Sequence, residues 1–143
     1  LGLNDATVEG LARASGNARF AFDSYRRFLQ MYGDVVLGVS QQKFEHLLEA
    51  KRLTEGVEHD SQLSEGALRT LVEEYKALVR HTTGQEFPLD PVVQLWGATE
   101  AVWKSWTLKK AIDYRRVNGI PDDVGTAVNV VAMVFGNLGD DSG

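Results

Sequence analysis

From residue 4 to residue 118 the apolar positions recur at helical spacing, and the pattern predicts about six helices. Asn4 or Asp5 can cap a first helix running through Ala14, with Gly16 near its end. A second is expected from about Arg19 to Tyr32, stopping at Gly33. Tyr25, Phe28, Leu29 and Tyr32 share one of its faces, while Asp23, Arg26 and Arg27 fall elsewhere. Ser40 can cap a third helix that carries Phe44, Leu47 and Leu48 and ends before Gly56. The fourth has the clearest period: Leu68, Leu71, Val72, Tyr75, Leu78 and Val79 line one side, with Arg69, Glu73, Lys76 and Arg80 opposite. Gly84 can end it. Asp90-Pro91 pairs an N-cap with proline at the first helical position and opens a fifth helix. That helix places Val92, Leu95, Trp96, Val102, Trp103 and Trp106 within one broad arc. A sixth spans about Leu108 to Asn118, with Gly119 and Pro121 as stop signals.

At residues 124–136 the helical period disappears and valines accumulate, which predicts a β-strand running into a turn at Gly136. A strand needs a neighbour for its backbone groups, and no second long strand is legible in the chain. The expected architecture is therefore mainly α: a helical part over 1–119, then the start of a sheet over 120–143. The absence of a legible partner strand leads to the expectation that the segment belongs to a longer polypeptide.

Composition narrows the class without choosing a function. The 143 residues are 43% hydrophobic and 24% charged, which points to a folded domain rather than a disordered chain. No apolar run approaches the length of a membrane-spanning helix, and a net charge of −5 argues against a nucleic-acid partner. The absence of cysteine removes disulfides, thiolate nucleophiles and thiolate metal sites. No secretory leader is visible, so a cytoplasmic setting is expected, or an organelle if a transit segment lies upstream.

The candidate chemistry is sparse. His46, His59 and His81 are far apart in sequence and lack a second ligand at metal-binding spacing, so neither a metal site nor a catalytic histidine is expected. The carboxylate clusters are adjacent pairs such as Glu73-Glu74 and Asp122-Asp123, which read as solvated faces. Trp96, Trp103 and Trp106 are expected to pack in the core rather than stack on bases. Lys104, Lys109, Lys110, Arg115 and Arg116 form a short basic stretch, read as solvated. Gly136-Asn137-Leu138-Gly139 reads as a turn rather than a phosphate cradle.

Several blocks carry a family resemblance. Gly2-Leu3-Asn4-Asp5, the run from Arg19 to Phe28, Met31-Tyr32-Gly33-Asp34-Val35-Val36, Phe87-Pro88 and Ser105-Trp106 resemble the nucleotide-binding domain of pyruvate, phosphate dikinases. So do Tyr114-Arg115-Arg116, the run from Gly125 to Val130, Met133-Val134-Phe135-Gly136-Asn137 and the terminal Gly139-Asp140-Asp141-Ser142-Gly143.

The resemblance implies a parent enzyme that interconverts ATP, phosphate and pyruvate with AMP, pyrophosphate and phosphoenolpyruvate through a phosphohistidine. It implies an ATP-grasp α+β nucleotide domain, truncated here, that uses Mg²⁺ in a homodimeric parent. By the same resemblance the phosphate-contacting lysine and arginines lie upstream of Leu1, and the magnesium-binding acids lie downstream of Gly143. No catalytic or metal-binding residue falls within this chain, no cofactor is expected on it alone, and it is expected to be inert alone. The strand matches the family's adenine-side strand, which makes Ala132, Met133 and Val134 the candidate nucleotide contacts. Val131 departs from the family pattern, which has glutamine there. The alternative is a helical protein–protein interaction module using Tyr25, Phe28, Tyr32 and the three tryptophans.

Overall fold

The computed structural model describes residues 1–136. The helices are α1 (Asp5–Ser15), α2 (Ala18–Val35), α3 (Gln41–Glu55), α4 (Glu65–Thr83), α5 (Pro91–Ser105) and α6 (Lys109–Asn118). Short 3₁₀ turns occupy Asp60–Gln62 and Asp122–Val124.

Local chemistry sets most of these boundaries. The Asn4 side chain accepts hydrogen bonds from the Ala6 and Thr7 amides, and the Thr7 hydroxyl accepts one from the Asn4 amide at 2.8 Å. Such a reciprocal cap satisfies orphan donors at the helix start and contributes about 1 kcal/mol. Ser64 and Asp90 accept from amides at the starts of α4 and α5 without the reciprocal bond, whereas the Ser40 side chain makes no cap bond. Gly16, Gly56, Gly84 and Gly119 close four helices in the left-handed conformation, each where a stop is expected.

Gly33 does not stop α2. The helix continues to Val35, and Gly33 is needed instead for clearance: a Cβ there would lie 2.5 Å from Cζ of the buried Phe44 ring. α2 is the axle of the fold. It packs against α1, α3, α4 and α5, so nearly its whole circumference from Phe20 to Arg26 is buried. Asp23 and Arg26, off the apolar stripe, are therefore inside as well.

The core lies among α1 to α4. Tyr25, Leu29, Phe44, Leu68, Leu71, Tyr75 and Val79 are fully buried. Phe44 and Tyr75 meet edge to face with ring centres 4.9 Å apart, and the Tyr75 hydroxyl donates to the Phe44 carbonyl at 3.0 Å. Phe87, in the loop after α4, closes the other end against Phe28 and Tyr32 at 5.6 and 5.4 Å.

α5 is joined to this core more sparingly. Gln94 is fully buried at its base; it accepts from the Gly2 amide at 2.7 Å and donates to the Leu3 and Pro88 carbonyls at 3.0 and 2.8 Å. One turn on, Gly97 lets the helix touch the Tyr32 hydroxyl and Val36. The outer side of α5 stays open: Trp96 is 61% and Trp103 50% exposed. The expectation of tryptophans packed in the core is corrected here, because no other described helix covers that face.

Residues 125–136 form neither helix nor strand. Among the described residues there is no second strand to complete a ladder, so valine-rich composition alone does not produce one. The terminal Gly139–Gly143 block, and the Gly136–Gly139 turn beyond its first residue, lie outside the described residues.

Candidate functional site

The segment 125–136 leaves the helical body at Gly125, whose φ of 74° requires glycine or strain. It returns across α2. Phe135 meets the buried Phe20 ring edge to face at 5.2 Å. Met133 sits at the lip of a groove of about 440 Å³ between α2 and α5, lined by Phe28, Tyr32, Val36, Ala98 and Val102. The groove is apolar apart from the Tyr32 and Ser105 hydroxyls. Burial pushes the Tyr32 phenol up, so it remains a neutral hydrogen-bonding group.

The three residues expected to contact nucleotide are not brought together as a pocket. Met133 borders the groove and is 61% exposed; Val134 is 94% exposed, and Ala132 is exposed as well. Val131 is likewise open to solvent at 80%. An apolar side chain beside free backbone amides and carbonyls can face a planar ring and read its edge.

A second arrangement holds the entry to this segment. Arg115, read in sequence as part of a solvated basic stretch, is buried. Its guanidinium stacks 4.0 Å over the Trp106 ring, its Nε donates to Asp122 Oδ1 at 2.7 Å, and its Nη1 donates to the Trp106 carbonyl at 2.7 Å. The Trp106 indole N–H donates to the Asp122 carbonyl at 3.2 Å, and the Ile120 amide to the Arg115 carbonyl at 2.9 Å. No local pattern announces the group, because its members are separated by a helix and its caps. The other basic side chains, Lys104, Lys109, Lys110 and Arg116, are exposed as expected.

The charged interior lies on the other side of α2. Asp23 receives Arg26 Nη2 at 2.6 Å and Arg27 Nε at 2.9 Å. Burial pushes the Asp23 carboxyl up, but the hydrogen bonds and charges of Arg26 and Arg27 outweigh it and hold the group below the usual carboxylate range. Arg26 also approaches Asp60 at 3.6 Å, while its buried Nε has no hydrogen-bond partner among the described residues.

His46, His59 and His81 are exposed and separate, and no group of three or more acidic or histidine side chains among the described residues could hold a metal ion. No described helix is long and apolar enough to cross a membrane.

Together these features define a mainly helical body with a groove-bordering segment at one end. The family described as pyruvate phosphate dikinase, AMP/ATP-binding domain, matches residues 36–143, and the chain belongs to that family. It is 52% identical to a pyruvate, phosphate dikinase of Clostridium symbiosum over its full length, covering 16% of that protein. It is 53% identical to the Rhizobium meliloti pyruvate, phosphate dikinase over 99% of the chain, again 16% of that relative. A chloroplastic pyruvate, phosphate dikinase 1 of Arabidopsis thaliana is 53% identical over the whole chain, which covers 15% of it. The chain thus spans about one sixth of the length of these relatives.

Proposed function

We propose that this chain is an internal portion of the ATP-binding domain of a pyruvate, phosphate dikinase. The parent converts ATP, pyruvate and phosphate to AMP, phosphoenolpyruvate and pyrophosphate through a phosphohistidine. The observation that carries this reading is identity of about half over the whole chain to dikinases of bacteria and plants.

Residues 1–119 serve as a helical platform, and 120–143 begin an ATP-grasp sheet that other parts of the parent complete. Ala132, Met133 and Val134 line the adenine side of the nucleotide: Met133 supplies an apolar contact to the ring, and the backbone of its neighbours reads the ring edge. This assignment is supported by Met133 at the groove lip and by the exposure of the segment, which leaves its backbone available to a ligand or a neighbouring strand. Val131 brings no side-chain hydrogen bond, so recognition there falls to main-chain groups. The Mg²⁺ and polyphosphate clamp, on which phosphoryl transfer depends, belongs to residues outside this chain.

Contact with the remaining parts of the same polypeptide falls on the open face of α5, where Val92, Val93, Trp96 and Trp103 present contiguous apolar surface. The rival reading, an interaction module without nucleotide role, loses half of its support, since Tyr25, Phe28 and Tyr32 are core residues. A homodimeric parent is part of the proposal, and sedimentation of the full-length protein checks it.

Two measurements test the nucleotide reading. The chain alone shows no change in unfolding temperature with millimolar Mg-ATP, since a ligand stabilises only the state that binds it. A rise shared by ATP and AMP but not GTP would show that the chain suffices and overturn the division of labour. In the full-length parent, Met133→Asp raises KM for ATP about ten- to a hundredfold through loss of a desolvated apolar contact worth about 1.5–3 kcal/mol, with KM for pyruvate unchanged. An unchanged KM for ATP rejects the adenine-side assignment.

A further inference from the structure

We propose that Arg115 is a positioning residue for the nucleotide: it acts as a latch that sets where segment 125–136 leaves the helical body, and so where Met133 stands against the groove. The proposal rests on the adenine-side reading of that segment.

The segment is strung between two anchors. At its far end Phe135 meets the Phe20 ring, held by a helix whose circumference is buried. At its near end the chain from α6 must reverse, pass the 3₁₀ turn at Asp122–Val124 and exit through Gly125. Few apolar contacts hold this reversal: Ile120, Val124 and Val117 are all exposed. What holds it is Arg115, which engages the turn before α6 and the turn after it at once. The stack over Trp106 and the bond to its carbonyl grip the first turn; the bond to Asp122 Oδ1 grips the second. Trp106 closes the ring of contacts by donating to the Asp122 carbonyl. The side chain of Arg115 is 6% exposed although Asp122 is 79% exposed, so the cation is sequestered while its acceptor is wet. A solvated surface pair would not be built this way.

Only a planar guanidinium can stack on the indole and donate in two directions in its own plane. Lysine can keep the charge and one bond but not the stack together with both bonds. Deleting the latch therefore frees the exit of segment 125–136 without touching the core among α1 to α4, which includes no residue of α6.

The test is made in the full-length parent with Arg115→Ala, Arg115→Lys and, as a probe of the other partner, Asp122→Asn. Loss of the latch raises KM for ATP by about tenfold, in the range that small misplacements far from the chemistry produce. KM for pyruvate stays at its original value, and Arg115→Lys recovers only part of the effect. Hydrogen exchange provides a readout independent of activity: the amides of 120–136 exchange faster in Arg115→Ala, while those of 41–83 keep their protection. Equal rises in both KM values, or faster exchange throughout the helices, would make Arg115 a stability residue and overturn the proposal. An unchanged KM for ATP overturns it too. Met133→Asp separates the two levels: if it disturbs ATP and Arg115→Ala does not, the latch alone is wrong; if neither does, the adenine-side reading falls with it.

Discussion

Removing the Asp23 carboxylate is the sharpest test of how the helical body is held together. The side chains of Asp23 and Arg26 are each 4% exposed, and the pair is closed at 2.6 Å. In Asp23→Ala the Arg26 charge stays buried with weaker neighbours only: Asp60 at 3.6 Å, Gln30 Oε1 at 3.4 Å and the Tyr75 hydroxyl. Its Nε is already without a partner among the described residues, so the guanidinium has little left to offset its desolvation. Breaking a buried pair from one side costs about 3–5 kcal/mol, a large share of the total stability of about 5–15 kcal/mol typical of a domain. With a urea m-value of about 2 kcal/mol/M, the midpoint of unfolding falls by about 2 M at unchanged slope. Asp23→Leu combined with Arg26→Met removes both charges and returns most of that loss, since apolar replacements of a buried pair are close to neutral. Circular dichroism against urea on the three proteins decides the matter. A loss under about 1 kcal/mol in the single variant, or a double variant no better than the single, refutes the reasoning that an uncompensated buried cation sets the cost.

The same pair sets the acid response. The folded Asp23 carboxyl lies below its unfolded value, so its contribution is present above about pH 4, where the unfolded carboxylate is ionised, and is lost as pH falls through the folded value. Urea midpoints should hold from pH 7 to about 5 and drop below about pH 4, and Asp23→Asn should flatten that drop. Gly97→Val places atoms into the Tyr32 hydroxyl and Val36 at the closest approach of α2 and α5; the cost is about 1–3 kcal/mol, and the tryptophan emission of α5 moves before the circular dichroism of the body does. Gln94→Leu strands the Gly2 amide and two carbonyls at a fully buried position and lowers stability by about 2–3 kcal/mol in a urea titration.

The helices were legible because their signals are local. The α4 stripe, the Asp90-Pro91 start and the glycine stops at 16, 56, 84 and 119 depend on neighbours within a turn or two, and each lies where the pattern puts it. What was not legible depends on wrapping. α2 has one apolar stripe, yet it is enclosed by four helices, so Asp23 and Arg26 are drawn inside and Gly33 becomes a contact rather than a stop. The α5 tryptophans show the converse: their spacing describes a face, and only the other surfaces present decide whether it is covered. Valine content at 124–136 likewise describes a surface suited to a sheet, while the ladder needs another backbone. Arg115 was hidden for a third reason: its value comes from Trp106 and Asp122, which no periodic pattern links to it.

The tie made by Gln94 has a consequence for how the chain is assembled. Its partners at Gly2 and Leu3 precede it by some ninety residues, so the glutamine emerges only after α4 and the Phe87 loop. Asn4 waits in the same way for the Leu89 carbonyl, to which its side chain donates at 2.9 Å. α1 can coil and settle on α2 early, with Asp5 in reach of the Tyr25 hydroxyl and Lys76, but the residues just ahead of it gain these ties only once the start of α5 has emerged. Contacts that span such a separation close late, because the loop entropy must be met before they form. A chain interrupted before Leu89 would therefore keep α1 against α2 but leave Gly2 to Asn4 without these long-range ties.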